Sequence, residues 1–276
     1  MSETETHINP LIARAKLPGE TFAIPSGGIF YENDELDDSV INGEVHIHPM
    51  AAYDEILIKT PALLLNGDAV EKVFNRCIPQ IKKPMDLLAK DVDYLLMALR
   101  QVTYGKIMEM NYKHSCENAK DHSYNVDISK LIRDSKKINP TTINKNYTIR
   151  LKNEQTVELR PASYKDIVNM LQLFSSQQSY ENQEITDEQM MIRAEKDTNA
   201  MLKTIQSIIR SVDSVTDQND IWEWLQILDA PAVNELAENV EKTSNWGPSF
   251  EHKAKCKDCN KTITINVPIN PVSFFT

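Results

Sequence analysis

Hydrophobic and polar positions change period several times along the chain, and each change marks an element. Phe22 and Ile24, then Ile29, Phe30 and Tyr31, flank Pro25-Ser26-Gly27-Gly28. That order predicts a short extended piece, a glycine turn and a second strand. Gly43 to Met50 alternates through Val45 and Ile47 and predicts a third strand, closed by Pro49. The period then lengthens. Asp54-Glu55-Ile56-Leu57-Ile58 opens a helical block that Pro61 interrupts, and Asn66-Gly67-Asp68 starts a helix through Val70, Val73, Phe74 and Cys77 that Pro79 ends. Pro84 lies near the start of a longer helix, in which Leu87, Leu88, Val92, Leu95, Leu96 and Leu99 recur at helical spacing and Gly105 is the expected cap.

Alternation returns at Ile107 to Tyr112 and at Tyr124 to Ile128, two predicted strands around a polar stretch from Lys113 to His122. Tyr147 to Leu151 and Thr156 to Arg160 alternate around Lys152-Asn153-Glu154-Gln155 and predict a hairpin. From Pro161 to about Ser244 the pattern is mainly helical. Ser163 with Asp166 caps a helix through Ile167, Met170, Leu171 and Phe174. Thr186 with Gln189 forms a capping box for the next. Behind it, Met191, Ala194, Thr198, Met201, Ile205, Ile208 and Val212 make a narrow seam of about three heptads. Such a seam suits a helix packed on its own domain, the commoner arrangement, or an arm that pairs with a partner or a second copy of the chain. A further helix starts at Ile221, with Trp222, Leu225 and Leu228 expected in the core, and Thr262 to Val267 alternates as a last strand.

Composition narrows the class. A chain of 276 residues with 41% apolar content is long enough for one large domain or two ordinary ones. A net charge of -10 disfavours free binding to a phosphate backbone. No stretch approaches the roughly 18 consecutive apolar residues of a membrane span. Met1-Ser2-Glu3-Thr4-Glu5-Thr6 is acidic and polar, unlike a secretory signal. Four cysteines in such a chain do not make a disulfide framework, so a reducing compartment is expected and metal binding is the better use for a cysteine pair.

Two cysteine-bearing segments carry the candidate chemistry. Cys256-Lys257-Asp258-Cys259 enters the alternating strand Ile263 to Val267, like one half of a zinc ribbon. Lys113-His114-Ser115-Cys116 and His122 precede the strand beginning at Tyr124, like the other half. Ala119 stands where a second cysteine would, so His114 or His122 has to replace it. The expected ligand set is Cys116, His122, Cys256 and Cys259 around a structural zinc ion, with no position left open for water. The bland reading is that one Cys-x-x-Cys with nearby histidines is incidental. His46 and His48 read more simply as a surface or interface pair, and Cys77 as a buried thiol on an apolar helix face. No phosphate loop, His-Glu-x-x-His or nucleophile elbow occurs, and a non-enzymatic protein is expected.

The fold class predicted is α+β: N-terminal β segments with a helical block, a split zinc-ribbon-like β element and a mainly helical insertion. The divisions expected are a mobile leader at 1–20, a unit at 21–135 ending in the first ribbon half, a hairpin and helical insertion at 136–249, and the second ribbon half at 250–276.

The order of several of these stretches resembles the baseplate hub and hub-assembly proteins of T4-like contractile-tailed bacteriophages. The stretches are Ile24 to Gly28, Gly43 to Met50, Asp54 to Leu57, Leu65 to Val70, Asp91 to Gly105, the hairpin ending Val157-Glu158-Leu159-Arg160-Pro161, and the terminal Cys-x-x-Cys, strand and Phe274-Phe275. The resemblance implies a hub subunit, which would stay in the tail baseplate of the virion, or an assembly chaperone that does not remain in the particle, either of them made in the host cytoplasm. Its expected partners are other hub and tail proteins, met through Met201, Ile205 and Ile208 of the seam and through Phe274 and Phe275, which either anchor a partner or fill this chain's own core. The alternative is a zinc-ribbon nucleic-acid-binding adaptor, using Lys253, Lys255, Lys257 and Lys261 around the cysteine pair.

Overall fold

The computed structural model describes residues 18–31, 34–116, 120–142, 147–178, 186–243, 245–268 and 274–275. Most of the leader expected at 1–20 lies outside the described residues, as do Ala119 and Pro271, Val272 and Ser273; the side chain of Phe174 is likewise not described.

β1 (Glu20–Ala23) pairs antiparallel with β2 (Glu44–Ile47), with Phe22 opposite Val45. The second strand expected at Ile29–Tyr31 is instead a run of turns. Gly27 and Gly28 both hold positive φ, and the amides of Ile29 and Tyr31 donate back to the carbonyls of Ser26 and Gly28. Those local bonds leave no ladder for a strand. Gly43 closes the loop at φ 71°, where a Cβ would stand 2.7 Å from Ile24 Cγ1, so the close approach needs glycine.

α1 (Ala52–Ile58), α2 (Pro61–Leu65), α3 (Asp68–Cys77) and α4 (Ala89–Tyr104) form the helical block. Pro61 occupies the first turn of α2, where an absent N–H loses no bond. Gly67 caps α3 in the left-handed region, and α3 buries Ala69, Val70, Val73, Phe74 and Cys77 on one face. α4 is buried almost all round between Asp91 and Gln101, the mark of a central helix rather than a surface one. It ends at Gly105, φ 89°, whose amide donates to the Gln101 carbonyl.

β3 (Ile107–Lys113) and β4 (Asp121–Asp127) form a hairpin with Tyr112 opposite His122, and Asp127 caps the short α5 (Ile128–Arg133) by accepting from the Lys130 amide. β5 (Thr148–Arg150) and β6 (Thr156–Leu159) are the expected hairpin, but a third strand, β7 (Ile209–Val212), joins β6. The helical seam therefore stops early. α6 (Tyr164–Gln178) starts at its Ser163–Asp166 cap, and α7 (Asp187–Ile208) starts at the reciprocal Thr186–Gln189 box. After Ile208, Val212 sits opposite Val157 in the sheet, and Asp213 and Ser214 turn the chain with positive φ. Pairing with the open edge of β6 outweighs the helical period there. α8 (Gln218–Ile227), α9 (Ala230–Thr243) and the hairpin β8 (Glu251–Lys255) and β9 (Thr262–Asn266) complete the α+β fold.

Three apolar clusters hold these elements. The largest joins β2 and the helical block to Val267, Phe274 and Phe275. The second packs β5–β7 against α7, α8 and α9 through Val157, Ile205, Ile209, Leu225 and Leu236. The third is small: Tyr124, Cys256, Ile263 and Ile265, between the two hairpins.

Two expectations about partner contacts change here. Phe274 and Phe275 have 0% exposure and fill the chain's own core, so they present no surface to a partner. In the seam, Ile205 and Ile208 are only 8% and 5% exposed, and Ile205 belongs to the cluster in which α7 packs against the β5–β7 sheet at its C-terminal end. Met201 and Met191, further towards the N-terminal end, are 56% and 75% exposed.

Candidate metal centre

The third cluster sits beneath a set of metal-ligating side chains. His114 follows the last residue of β3 directly, and Cys256 follows the last residue of β8 directly. Each hairpin thus delivers a ligand at the same place, the point where a strand gives way to its turn. Cys116 comes two residues after His114, its amide donating to the His114 carbonyl at 2.9 Å. Cys259 lies three after Cys256, and the turn between them is closed by two bonds: Asn260 N to Cys256 O at 2.9 Å and Cys256 N to Lys261 O at 2.8 Å. Asn260 takes φ 58°, a conformation asparagine tolerates better than most residues.

One ligand atom from each of His114, Cys116, Cys256 and Cys259 lies within 4.8 Å of the others. Cys259 Sγ and His114 Nδ1 are 3.5 Å apart, across 145 positions of sequence. Around zinc, ligands at about 2.1–2.3 Å in tetrahedral array stand roughly 3.5–3.8 Å from one another. The observed spread therefore needs only a small closure to meet that geometry.

The electrostatics suit a cation. Hydrogen bonds from the Cys259 amide, then the Asp258 amide, with His114 and Cys259 side chains contributing, bring the Cys256 thiol down to about 6 despite burial. Cys116 moves the other way: burial first, then the neighbouring sulfurs of Cys256 and Cys259, hold its thiol above its usual range. All three thiols are free of disulfides. Three sulfurs converging with an imidazole, one already favouring the thiolate, form a donor set that a soft divalent ion fits.

His114, and not His122, the expected fourth ligand, stands with the three cysteines. The Nε2 of His122 lies 2.8 Å from Asp258 Oδ1, and the place of His122 opposite Tyr112 in the ladder sets it back from the strand end. Counting from strand ends would have found His114, since it and Cys256 occupy matching positions. Among the described residues no other group of three or more such side chains comes together. His46 and His48 stack edge-on at 4.8 Å, with His46 Nδ1 3.1 Å from Thr21 Oγ1. Cys77 is buried in the core, and that burial pushes its thiol up to about 12. Asp54 accepts from the Ala51 amide at 2.9 Å and pairs with Arg76, a structural use of this buried carboxylate.

A family model described as T4 bacteriophage base plate protein matches residues 50–276. The chain therefore belongs to that family, and the matched stretch takes in His114, Cys116, Cys256 and Cys259. No curated protein and no solved structure matches the chain.

Proposed function

We propose that this base plate protein works in assembly of the baseplate hub, as a subunit or as an assembly chaperone, through protein–protein contacts and without catalysis. Its partners on this reading are other tail proteins of the same phage, met in the host cytoplasm and, for a subunit, retained in the virion tail. His114, Cys116, Cys256 and Cys259 would hold one structural zinc ion, which would tie the two hairpins across the helical insertion.

The observation that carries the reading is the apolar surface on α7. Met190, Met191, Ile192 and Met201 are all exposed on one helix, more apolar side chain than a solvated helix ordinarily leaves to water. Flexible thioethers adapt to an irregular partner surface, and the exposed end of α7 lies away from the sheet that buries Ile205. Family membership makes a tail protein the natural occupant.

Native mass spectrometry of the chain co-expressed with the phage's hub proteins tests this. A defined complex is expected, with one zinc per copy of this chain, and Met191→Glu with Met201→Glu should abolish the complex while leaving the monomer folded. A metal-free monomer that ignores every hub protein would remove both halves of the proposal. The exposed Lys253 and Lys255 on β8 favour a second reading, a nucleic-acid adaptor. Salt-sensitive retention of DNA or RNA by the purified protein would support it, and no retention at low salt would end it.

A further inference from the structure

The Cys256–Cys259 turn has two residues that are not ligands, and both reach across to the other hairpin. Asp258 accepts twice: its Oδ1 lies 2.8 Å from His122 Nε2, and its Oδ2 takes the Lys120 amide at 3.2 Å. Lys257 donates its amide to the Tyr124 hydroxyl at 3.2 Å and its Nζ to the Ser123 carbonyl at 2.6 Å, with the ammonium 5.3 Å from the Tyr124 ring centre. Every one of these contacts lands between residues 120 and 124, on or just before β4. Beneath them, Tyr124, Ile263 and Ile265 are buried together with Cys256.

From this arrangement we infer that Lys257 and Asp258 are positioning residues that lock the two hairpins in register without the metal, so that the four ligands are assembled before an ion arrives. The identity of the ion rests on the zinc reading above; the locking contacts do not. Small metal sites commonly have no folded form without the ion, because the ligands alone join their loops. Here four polar contacts and the buried side chains of Tyr124, Ile263 and Ile265 join the same loops independently of any ligand atom. Asp258 is the more directional of the two, since its two oxygens engage different donors, one on β4 and one just before it. Tyr124 completes the lock, with its ring in the small core and its hydroxyl on the turn. Alternation along β4 puts Ser123 and Tyr124 on opposite faces, and Lys257 meets both, the carbonyl of one and the ring and hydroxyl of the other.

The test uses the full chain, stripped of metal by a chelator under reducing conditions. Hydrogen exchange at the Lys120 and Lys257 amides should show protection in the stripped wild type and lose it in Tyr124→Phe with Asp258→Ala. Amides of the β5–β7 sheet serve as the control that the variant is folded. Titrating cobalt(II) into both proteins should give the visible bands of a tetrahedral thiolate site in each, since no ligand is changed, with the variant binding roughly 10–100-fold more weakly. Free exchange of both amides in the stripped wild type, with protection appearing only on adding metal, would overturn the inference. So would equal cobalt affinity in the two proteins. If the wild type takes up no cobalt but its amides are protected, the zinc reading fails and the metal-independent lock stands.

Discussion

Arg100 donates its Nε–H to the carbonyl oxygen of Phe274 at 3.0 Å, although 174 positions of sequence separate them. The same guanidinium lies 5.8 Å from the centre of the Phe274 ring and 5.8 Å from that of Tyr104, and it reaches the Gly105 carbonyl at 3.3 Å. Phe274 and Phe275 meet edge-on at 5.4 Å. The central helix α4 therefore carries, at one end, a polar clasp on a pair of aromatic side chains that fill the largest core. Burial of a guanidinium is tolerated because the carbonyls and ring faces around it replace its water.

Replacing either phenylalanine by alanine should destabilise the isolated monomer by about 3–5 kcal/mol, the usual cost of an aromatic removed from a closed core. Urea denaturation of the purified protein measures it. A variant with wild-type midpoint that fails only when hub proteins are added would put these rings at a partner surface, against their complete burial.

The two histidines separate the expected ligand set from the four side chains that converge in the structure. His114→Ala should abolish metal uptake, because its imidazole supplies one of the four converging atoms. His122→Ala should keep one ion per chain, bound more weakly through the lost contact to Asp258. Elemental analysis of each variant after dialysis reads this directly. The opposite pattern, metal kept without His114 and lost without His122, would return His122 to the site.

Much of this arrangement was legible in the chain because local chemistry and tertiary structure agree. Pro61, Gly67 and Gly105 punctuate the helical block where backbone geometry demands them, and Ser163–Asp166 and Thr186–Gln189 cap the helices they announce. The turn at Cys256–Cys259 was readable for the same reason. What escaped depended on neighbours remote in sequence. Ile209–Val212 continues a helical period and becomes a strand only because β6 offers an edge. Ile29–Tyr31 has strand-forming side chains, yet Asp91 draws the segment into turns by accepting from the Ser26 amide at 3.0 Å and the Tyr31 hydroxyl at 2.7 Å. Choosing between His114 and His122 needed the hairpin register. Phe274 and Phe275 offered no local sign of whether they would face inward or outward.

Asp91 also gives a pH dependence. Burial raises its carboxyl from 3.8 to about 6, although Ser26 and Tyr31 oppose the shift, and burial raises Asp93 to about 6 against the pull of Lys90. A carboxyl raised on folding contributes stability that is fully present below the unfolded pKa near 4 and is lost as pH rises through about 6. Stability should therefore fall across that window by about 3 kcal/mol for each group, taking 1.36 kcal/mol per pKa unit. Asp91→Asn cannot ionise and should flatten its share of the slope. Thermal unfolding of both proteins in buffers from about pH 4 to pH 7 checks this, and an unchanged slope in the variant would assign the pH dependence elsewhere.

The seam on α7 allows the sharpest contrast within one helix. Met201 and Ile205 are successive seam positions one turn apart, yet Ile205 belongs to the buried cluster that holds Tyr147, Val157 and Leu225 while Met201 stays exposed. Ile205→Ala should cost the monomer about 2–5 kcal/mol, because the sheet beneath it closes only partly over the gap. Met201→Ala should change monomer stability by no more than about 0.5 kcal/mol, as exposed substitutions do. In pull-down with the phage's hub proteins the ranking should reverse at temperatures where both variants are folded: Met201→Ala weakens the complex and Ile205→Ala leaves it intact. Equal monomer costs would mean that the seam is buried along its whole length, and α7 would then offer no apolar surface to a tail partner.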